Sequence, residues 1–209
     1  LRMRIMPDVN TETVDLNTPG LLMQAFQKGK EEFGDQFISE LIEGMKQLGF
    51  DIVDVDVAEK DGVLGICVDE GNYIVMQQDM SQGMFRTLSL FIMMSYTNLS
   101  KSSLCLLIDD MGEGLDFNSS RKMMDIIKKI DNSNLQFFMT TNDRYVMNQI
   151  PLRFWTIIDR EYTNKFVFYV YTNAKEHFTH FKYTGLNNSA FLTTGVYRTG
   201  FGSIEEDED

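Results

Sequence analysis

The stretch 103-SLCLLIDDMGEGLD-116 runs five consecutive apolar residues, Leu104 to Ile108, straight into the adjacent carboxylates of Asp109 and Asp110. Like charges in contact push one pKa up unless a cation or hydrogen bonds offset them, so a positive group or a water to be polarised is expected in front of the pair. At the end of a buried strand, Asp109 has the placement that holds Mg2+ through its water shell in phosphoryl-transfer sites. A helix cap or a solvated loop is the competing reading. It fits less well behind an apolar strand and ahead of Gly112-Glu113-Gly114-Leu115-Asp116.

A second group of residues is suited to an anion. Ser81-Gln82-Gly83 opens a helical pattern, where free backbone N–H groups, a hydroxyl and the positive end of a helix dipole favour negative charge, and Gly83 lets a phosphate approach the backbone. A serine in that position is also the ordinary N-cap, and both readings stand on local grounds. Arg86, one turn further on, has two uses: supporting a phosphate or pairing with a neighbouring acid.

Other constellations fall short of chemistry. His177 and His180 are three apart but have no third or fourth metal ligand near them in sequence, so a solvated or packed pair is expected. The turn 199-TGFGS-203 lacks the strand-turn-helix frame of a dinucleotide fingerprint, and Gly29-Lys30 lacks the upstream glycine and following Ser/Thr of a phosphate loop. No Ser-His-Asp or Cys-His set occurs, and the fourteen methionines lie mostly on apolar helix faces as core filler.

The elements that position these residues alternate in type. Helical periodicity covers 19–33 and 35–49, with Pro19 suited to a first turn and Gly49 to a stop. Strands at 51–58, 63–69 and 73–77, joined by Asp61-Gly62 and Gly71-Asn72, predict an antiparallel meander. A long helix over 82–99, a strand at 104–108, a helix over 117–130 and a strand at 135–141 then predict a parallel crossover unit, which places ligands at the carboxyl ends of its strands. The two aspartates and Thr140-Thr141-Asn142 converge on that edge. A short helix over 143–149, a hairpin of 154–160 with 166–172 and a helix over 174–181 follow. The expected fold is α/β, in one domain over 1–204.

Composition agrees with an ordinary folded protein: 209 residues, 43% apolar and 24% charged. The formal charge is −12, of which the tail 205-EEDED-209 supplies five, a solvating segment expected to be disordered. A large nucleic-acid face, which needs a basic patch, is not implied. Cys67 and Cys105 lie in apolar runs and read as reduced, buried thiols of a cytoplasmic protein. The longest apolar window, 88–96, is too short to span a bilayer.

Met80-Ser81-Gln82-Gly83, Leu104 to Asp110, Gly114-Leu115-Asp116 and Phe138-Met139-Thr140-Thr141-Asn142 resemble, in order and spacing, the second half of an ABC-type ATPase domain. The nearest branch is the SMC/RecF-like group that includes bacterial antiphage-defence ATPases, and the resemblance covers about residues 19 to 192. It implies an ATP- and Mg2+-dependent ATPase that dimerises around nucleotide. Ser81, Gln82 and Gly83 would be the signature, Asp109 the metal residue and Asp116 a D-loop residue facing a second copy. Asp110 stands where the family has a glutamate that activates water, and Asn142 where it has a switch histidine.

Both departures matter. Aspartate is one methylene shorter, and the asparagine amide can donate to a phosphate but cannot carry charge; an Asx turn with Asp143 is its local alternative. The phosphate loop, absent here, lies in the family's N-terminal lobe, so this chain is expected to be a C-terminal lobe completed by an upstream segment or a separate chain. An effector protein or DNA is the further partner the resemblance implies.

Overall fold

The computed structural model describes residues 4–6, 14–15, 19–130, 134–160 and 165–201. The chain has a mixed α/β fold in two compact units, residues 1–143 and 144–209. The tail 205–209 and most of the first eighteen residues lie outside the described set.

In the first unit, α1 spans Pro19–Gln47 and is broken at Gly34, whose φ of 53° and ψ of −132° are not helical. That break separates the two predicted helices, and glycine is the residue that tolerates it. Strands β3 (Asp54–Lys60), β4 (Val63–Asp69) and β5 (Ile74–Met76) form the antiparallel meander in the order β3-β4-β5. The predicted Asp61-Gly62 turn closes the first hairpin with positive φ at both residues, 55° and 78°, the signature of a two-residue primed turn. Helix α2 (Gln82–Ser100) packs on α1, where a Cβ on Gly44 would lie 2.6 Å from the Phe91 ring.

The crossover unit is present as β6 (Leu104–Ile108), α3 (Phe117–Lys129) and β7 (Leu135–Met139), with β6 and β7 parallel from Leu104↔Leu135 to Ile108↔Met139. It is the one parallel pair among the described strands. The short strands β1 (Arg4–Met6) and β2 (Val14–Asp15), absent from the sequence reading, extend the sheet antiparallel in the order β2-β1-β6-β7. The sheet is therefore small and mixed rather than the parallel sheet expected.

Five consecutive apolar residues predicted a buried strand at β6. Leu104, Leu106 and Ile108 are buried, but Cys105 and Leu107 are only partly so. Their face continues into Gln136 and Phe138 of β7, and Phe138 is 55% exposed. Cys67 is buried, and that burial pushes its thiol pKa up.

The second unit contains α4 (Arg144–Gln149), the hairpin β8 (Thr156–Arg160) and β9 (Phe166–Val170), α5 (Lys175–Phe181), α6 (Asn188–Thr193) and α7 (Val196–Thr199). Phe178, Phe181 and Phe191 are its core, packed ring on ring at 4.7 and 5.0 Å. Asp159, nearly buried, pairs through both oxygens with Arg198, whose guanidinium holds that carboxyl below its usual range.

Candidate functional site

Asp109 and Asp110 lie just past β6, and the loop they begin is fastened on two sides. On one side is the end of β7. The Thr140 hydroxyl accepts from Asp110 N–H at 2.9 Å and donates to Asp109 Oδ1 at 2.6 Å. Backbone bonds from Thr140 N–H to Ile108 O (2.9 Å) and from Met111 N–H to Thr140 O (2.7 Å) extend the strand ladder across the pair. Thr141 then donates to Met111 O at 2.8 Å. Asp110 itself has a φ of 49°, a left-handed conformation that aspartate tolerates better than most residues.

On the other side is α2. Arg86 is 8% exposed, and its guanidinium donates to Asp109 O at 2.6 Å and to Asp110 O at 2.9 Å, while its second arm pairs with Glu113. Arg86 thus places its charge behind the carboxylates, on the Asp109 and Asp110 carbonyl oxygens. Of the two uses open to Arg86, the structure shows the pairing with a neighbouring acid. Held this way the carboxylates stay accessible: Asp109 is exposed and Asp110 half-buried.

Ser81 caps α2, its Oγ accepting from Met84 N–H at 3.1 Å. Ser81 and Gln82 are exposed at the helix start, and Gly83 is buried. A Cβ on Gly83 would lie 2.1 Å from Gly114 O and 3.3 Å from Leu115 Cδ2. Gly83 thus has an intramolecular reason to be glycine, the backbone contact with Gly114, in addition to any approach of an anion. Gly114, with φ of 76°, is bound to the same contact.

Asp116 caps α3. Its carboxylate accepts from Asn118 N–H (2.8 Å), Ser119 N–H (3.1 Å) and the Ser119 hydroxyl (2.6 Å), and the hydroxyl, followed by the N–H of Ser119, holds its pKa below the usual carboxylate range. Asn142 is exposed beyond β7, and its side chain makes no hydrogen bond with another described residue. Asp143 donates its N–H to Thr141 Oγ1 at 3.1 Å, so the turn after β7 is organised by threonine rather than by Asn142.

The structure thus brings Arg86, Asp109, Asp110 and the Ser81–Gly83 turn into one connected site, with Asp116 and Asn142 on the segments that flank it. Thr140 and Thr141, expected on this edge, take part through their hydroxyls, and Glu113, read only as part of the turn behind the aspartates, joins the site as the partner of Arg86. Among the described residues no group of three or more His, Cys, Asp or Glu converges as a metal cage. Asp109 keeps Oδ2 without a described protein partner, which fits a Mg2+ held by one carboxylate, waters and substrate phosphates rather than by an all-protein site. His177 Nδ1 lies 3.0 Å from Tyr197 O, and His180 is exposed.

No helix among the described residues is long and apolar enough to cross a membrane. No family model and no curated protein matches the chain. Among solved structures it is similar to an SMC ATPase chain studied for ATP-driven dimerization and DNA-stimulated activation, with 16% identity and a TM-score of 0.46 over 79% of this chain and 98% of that one. It is similar to the Smc head bound to the C-winged helix domain of ScpA, with 17% identity and a TM-score of 0.49 over 77% of this chain and 52% of that one. The Smc head with extended coiled coil from Pyrococcus furiosus gives 16% and 0.47, over 70% of this chain and 37% of that one. The chain spans about half, or less, of the last two. These are likenesses of fold; what the site can do follows from its own residues.

Proposed function

We propose that the chain is the C-terminal lobe of an ABC-type ATPase, two copies of which sandwich Mg-ATP. The observation that carries the reading is the direct linkage of two motifs far apart in sequence: the start of α2 and the acidic pair after β6 meet through Arg86 and through Gly83 against Gly114. In this reading Ser81, Gln82 and the free N–H groups at the start of α2 meet the phosphates bound to the other copy. Bound Mg2+ neutralises the charge that develops on those phosphates. Asp109 holds the hydrated metal through the oxygen Thr140 leaves open.

Asp110 orients a water and takes its proton as the water oxygen bonds to the γ-phosphorus. The bond from phosphorus to the β–γ bridging oxygen then breaks, its electron pair leaving with ADP. Asn142 donates its amide to a γ-phosphate oxygen. Asp116 adds a carboxylate near the copy-to-copy contact while capping α3. The phosphate loop comes from an N-terminal lobe, upstream or on a separate chain, that covers the face of half-buried Leu107 and exposed Phe138. The two units 1–143 and 144–209 then belong to one lobe.

A second reading, a nucleotide-gated scaffold with little turnover that holds an effector protein, is favoured by Asp110 and Asn142. The shorter acid reaches less far, and a displacement on the order of 1 Å costs about a hundredfold in rate. A cytoplasmic setting, DNA as a partner and a role in antiphage defence rest on the motif resemblance alone.

ATP turnover and ATP-dependent dimerisation of the chain joined to its phosphate-loop lobe, beside Asp109→Asn and Asp110→Asn, test the proposal. Turnover abolished by both substitutions supports the ATPase. Dimerisation on ATP without turnover in the parent protein selects the scaffold. Neither dimerisation nor turnover overturns both.

A further inference from the structure

We infer that the groove between α1, α2 and α3 docks an amphipathic helix of another protein, one whose apolar face is flanked by lysine or arginine. The inference is independent of whether the chain hydrolyses ATP.

The groove encloses about 360 Å³ on the first unit. Its walls are helical stripes. Lining residues recur at i, i+3, i+4 and i+7 on both α1 (from Glu40) and α2 (from Phe91), and α3 adds Ile126 and Lys129, with Ile130 at its C-terminal end. The stripes on α1 and α2 run two turns, about 10 Å, and their complement is another helix laid into the groove. Phe91, Met94 and Ile130 give the floor its apolar surface, and Gly44 keeps the α1 wall low beside the Phe91 ring.

Charge selects among occupants. Glu40 and Glu43 stand on the α1 wall, and neither has an ion pair among the described residues; Lys129 is the single cation facing them from α3. A basic flank against the α1 wall satisfies both carboxylates. A second copy of this chain, with 19 Lys and Arg against 31 Asp and Glu, is a poorer source of a basic flank than a basic helix of another protein, and a nucleic acid would set phosphates against Glu40 and Glu43.

The test is fluorescence anisotropy of the full chain with a labelled helix-forming Leu/Lys peptide of about 14 residues, beside a Leu/Glu peptide with the same apolar positions. The Leu/Lys peptide is expected to bind saturably, one to one, and about tenfold or more tighter than Leu/Glu. Glu40→Gln with Glu43→Gln should weaken it about fivefold. Asn98→Trp, which fills the groove from an exposed position, should weaken it about tenfold or more. Glu31→Gln with Glu59→Gln removes the same charge outside the groove and should leave affinity within about twofold.

Equal binding of the two peptides, no effect of Asn98→Trp, or equal loss in the outside control would overturn the inference. So would a dimer in sedimentation velocity that Asn98→Trp dissociates, because the occupant would then be a second copy.

Discussion

Thr140→Val separates the hydroxyl of Thr140 from its bulk. Valine keeps the branching and volume and removes two bonds, the 2.6 Å donation to Asp109 Oδ1 and the 2.9 Å bond from Asp110 N–H. Asp109 is exposed and regains water, so the first loss falls at the low end of the roughly 0.5–1.5 kcal/mol of a net hydrogen bond. The second frees an amide in a bond that is also exposed, so water can replace the hydroxyl and the loss lies at about 0.5–1.5 kcal/mol. Together they come to about 1–2 kcal/mol, or a Tm fall of about 2–8 °C at the 2–4 °C per kcal/mol of a chain this size.

Thr140→Ser keeps the hydroxyl and should retain most of the stability. If the proposed ATPase function holds, the valine variant joined to its phosphate-loop lobe should lose far more kcat than KM, because the proposed nucleotide contacts remain while the acid pair is displaced. Scanning calorimetry of the three proteins, followed by steady-state kinetics, is the assay. A valine variant melting within about 1 °C of the parent, or a serine variant that falls as far as valine, would refute the reasoning.

Arg86→Met removes the donors to two carbonyls and should cost about 2–4 kcal/mol, whereas Glu113→Gln, at a side chain 55% exposed, should cost less than about 1 kcal/mol; urea unfolding of both variants measures the contrast. Gly83→Ala drives a methyl into Gly114 O and should destabilise by about 1–3 kcal/mol or displace the loop, read by thermal melting. Because the folded pKa of Asp116 is depressed, its contribution is fully present above the unfolded value of about 3.9 and is lost as pH falls through the folded value. The stability gap between parent and Asp116→Asn, followed by chemical unfolding from pH 7 downward, should therefore close only in acid. Ser120→Ala should stabilise by about 0.5–1.5 kcal/mol, because the Ser120 hydroxyl is fully buried with no partner among the described residues and alanine is the better helix former; thermal melting of the variant checks it.

The elements legible in the sequence are those whose signals are local. Asp61-Gly62 between two alternating runs gave the hairpin, Gly34 between two periodic segments marked the break in α1, and the β6-α3-β7 spacing gave the crossover. What was illegible depends on residues distant in sequence. Nothing beside Gly83 shows that Gly114 O will occupy the place of its Cβ. Nothing beside Arg86 shows that its partners are carbonyls. The partial exposure of β6 was hidden for the same reason: an apolar run reports that a face can be covered, not by what. Asp116 had a local signal, an acid immediately ahead of a helix, but the motif resemblance assigned it to a contact between copies. Its three hydrogen bonds show that it is used within its own chain as well.

The two fastenings of the acidic loop differ in kind, and the difference bears on how nucleotide could control it. At α2, Gly83 meets Gly114 through backbone atoms with no side chain to yield, and Arg86 reaches the Asp109 and Asp110 carbonyls from the next turn of the same face. At β7, the link is the Thr140 hydroxyl, which can rotate, together with backbone bonds in register with the sheet. A force on the first turn of α2 therefore reaches the acidic pair through a stiff contact, whereas the carboxylate of Asp109 is aimed by a soft one. In the proposed reading, an anion captured at Ser81 and Gln82 would shift the loop as a body, and Thr140 would let the Asp109 carboxylate turn toward a hydrated Mg2+ without breaking the strand ladder. The short reach of Asp110 fits that reading, since its left-handed backbone would let a loop displacement, rather than an added methylene, carry its carboxylate toward an attacking water.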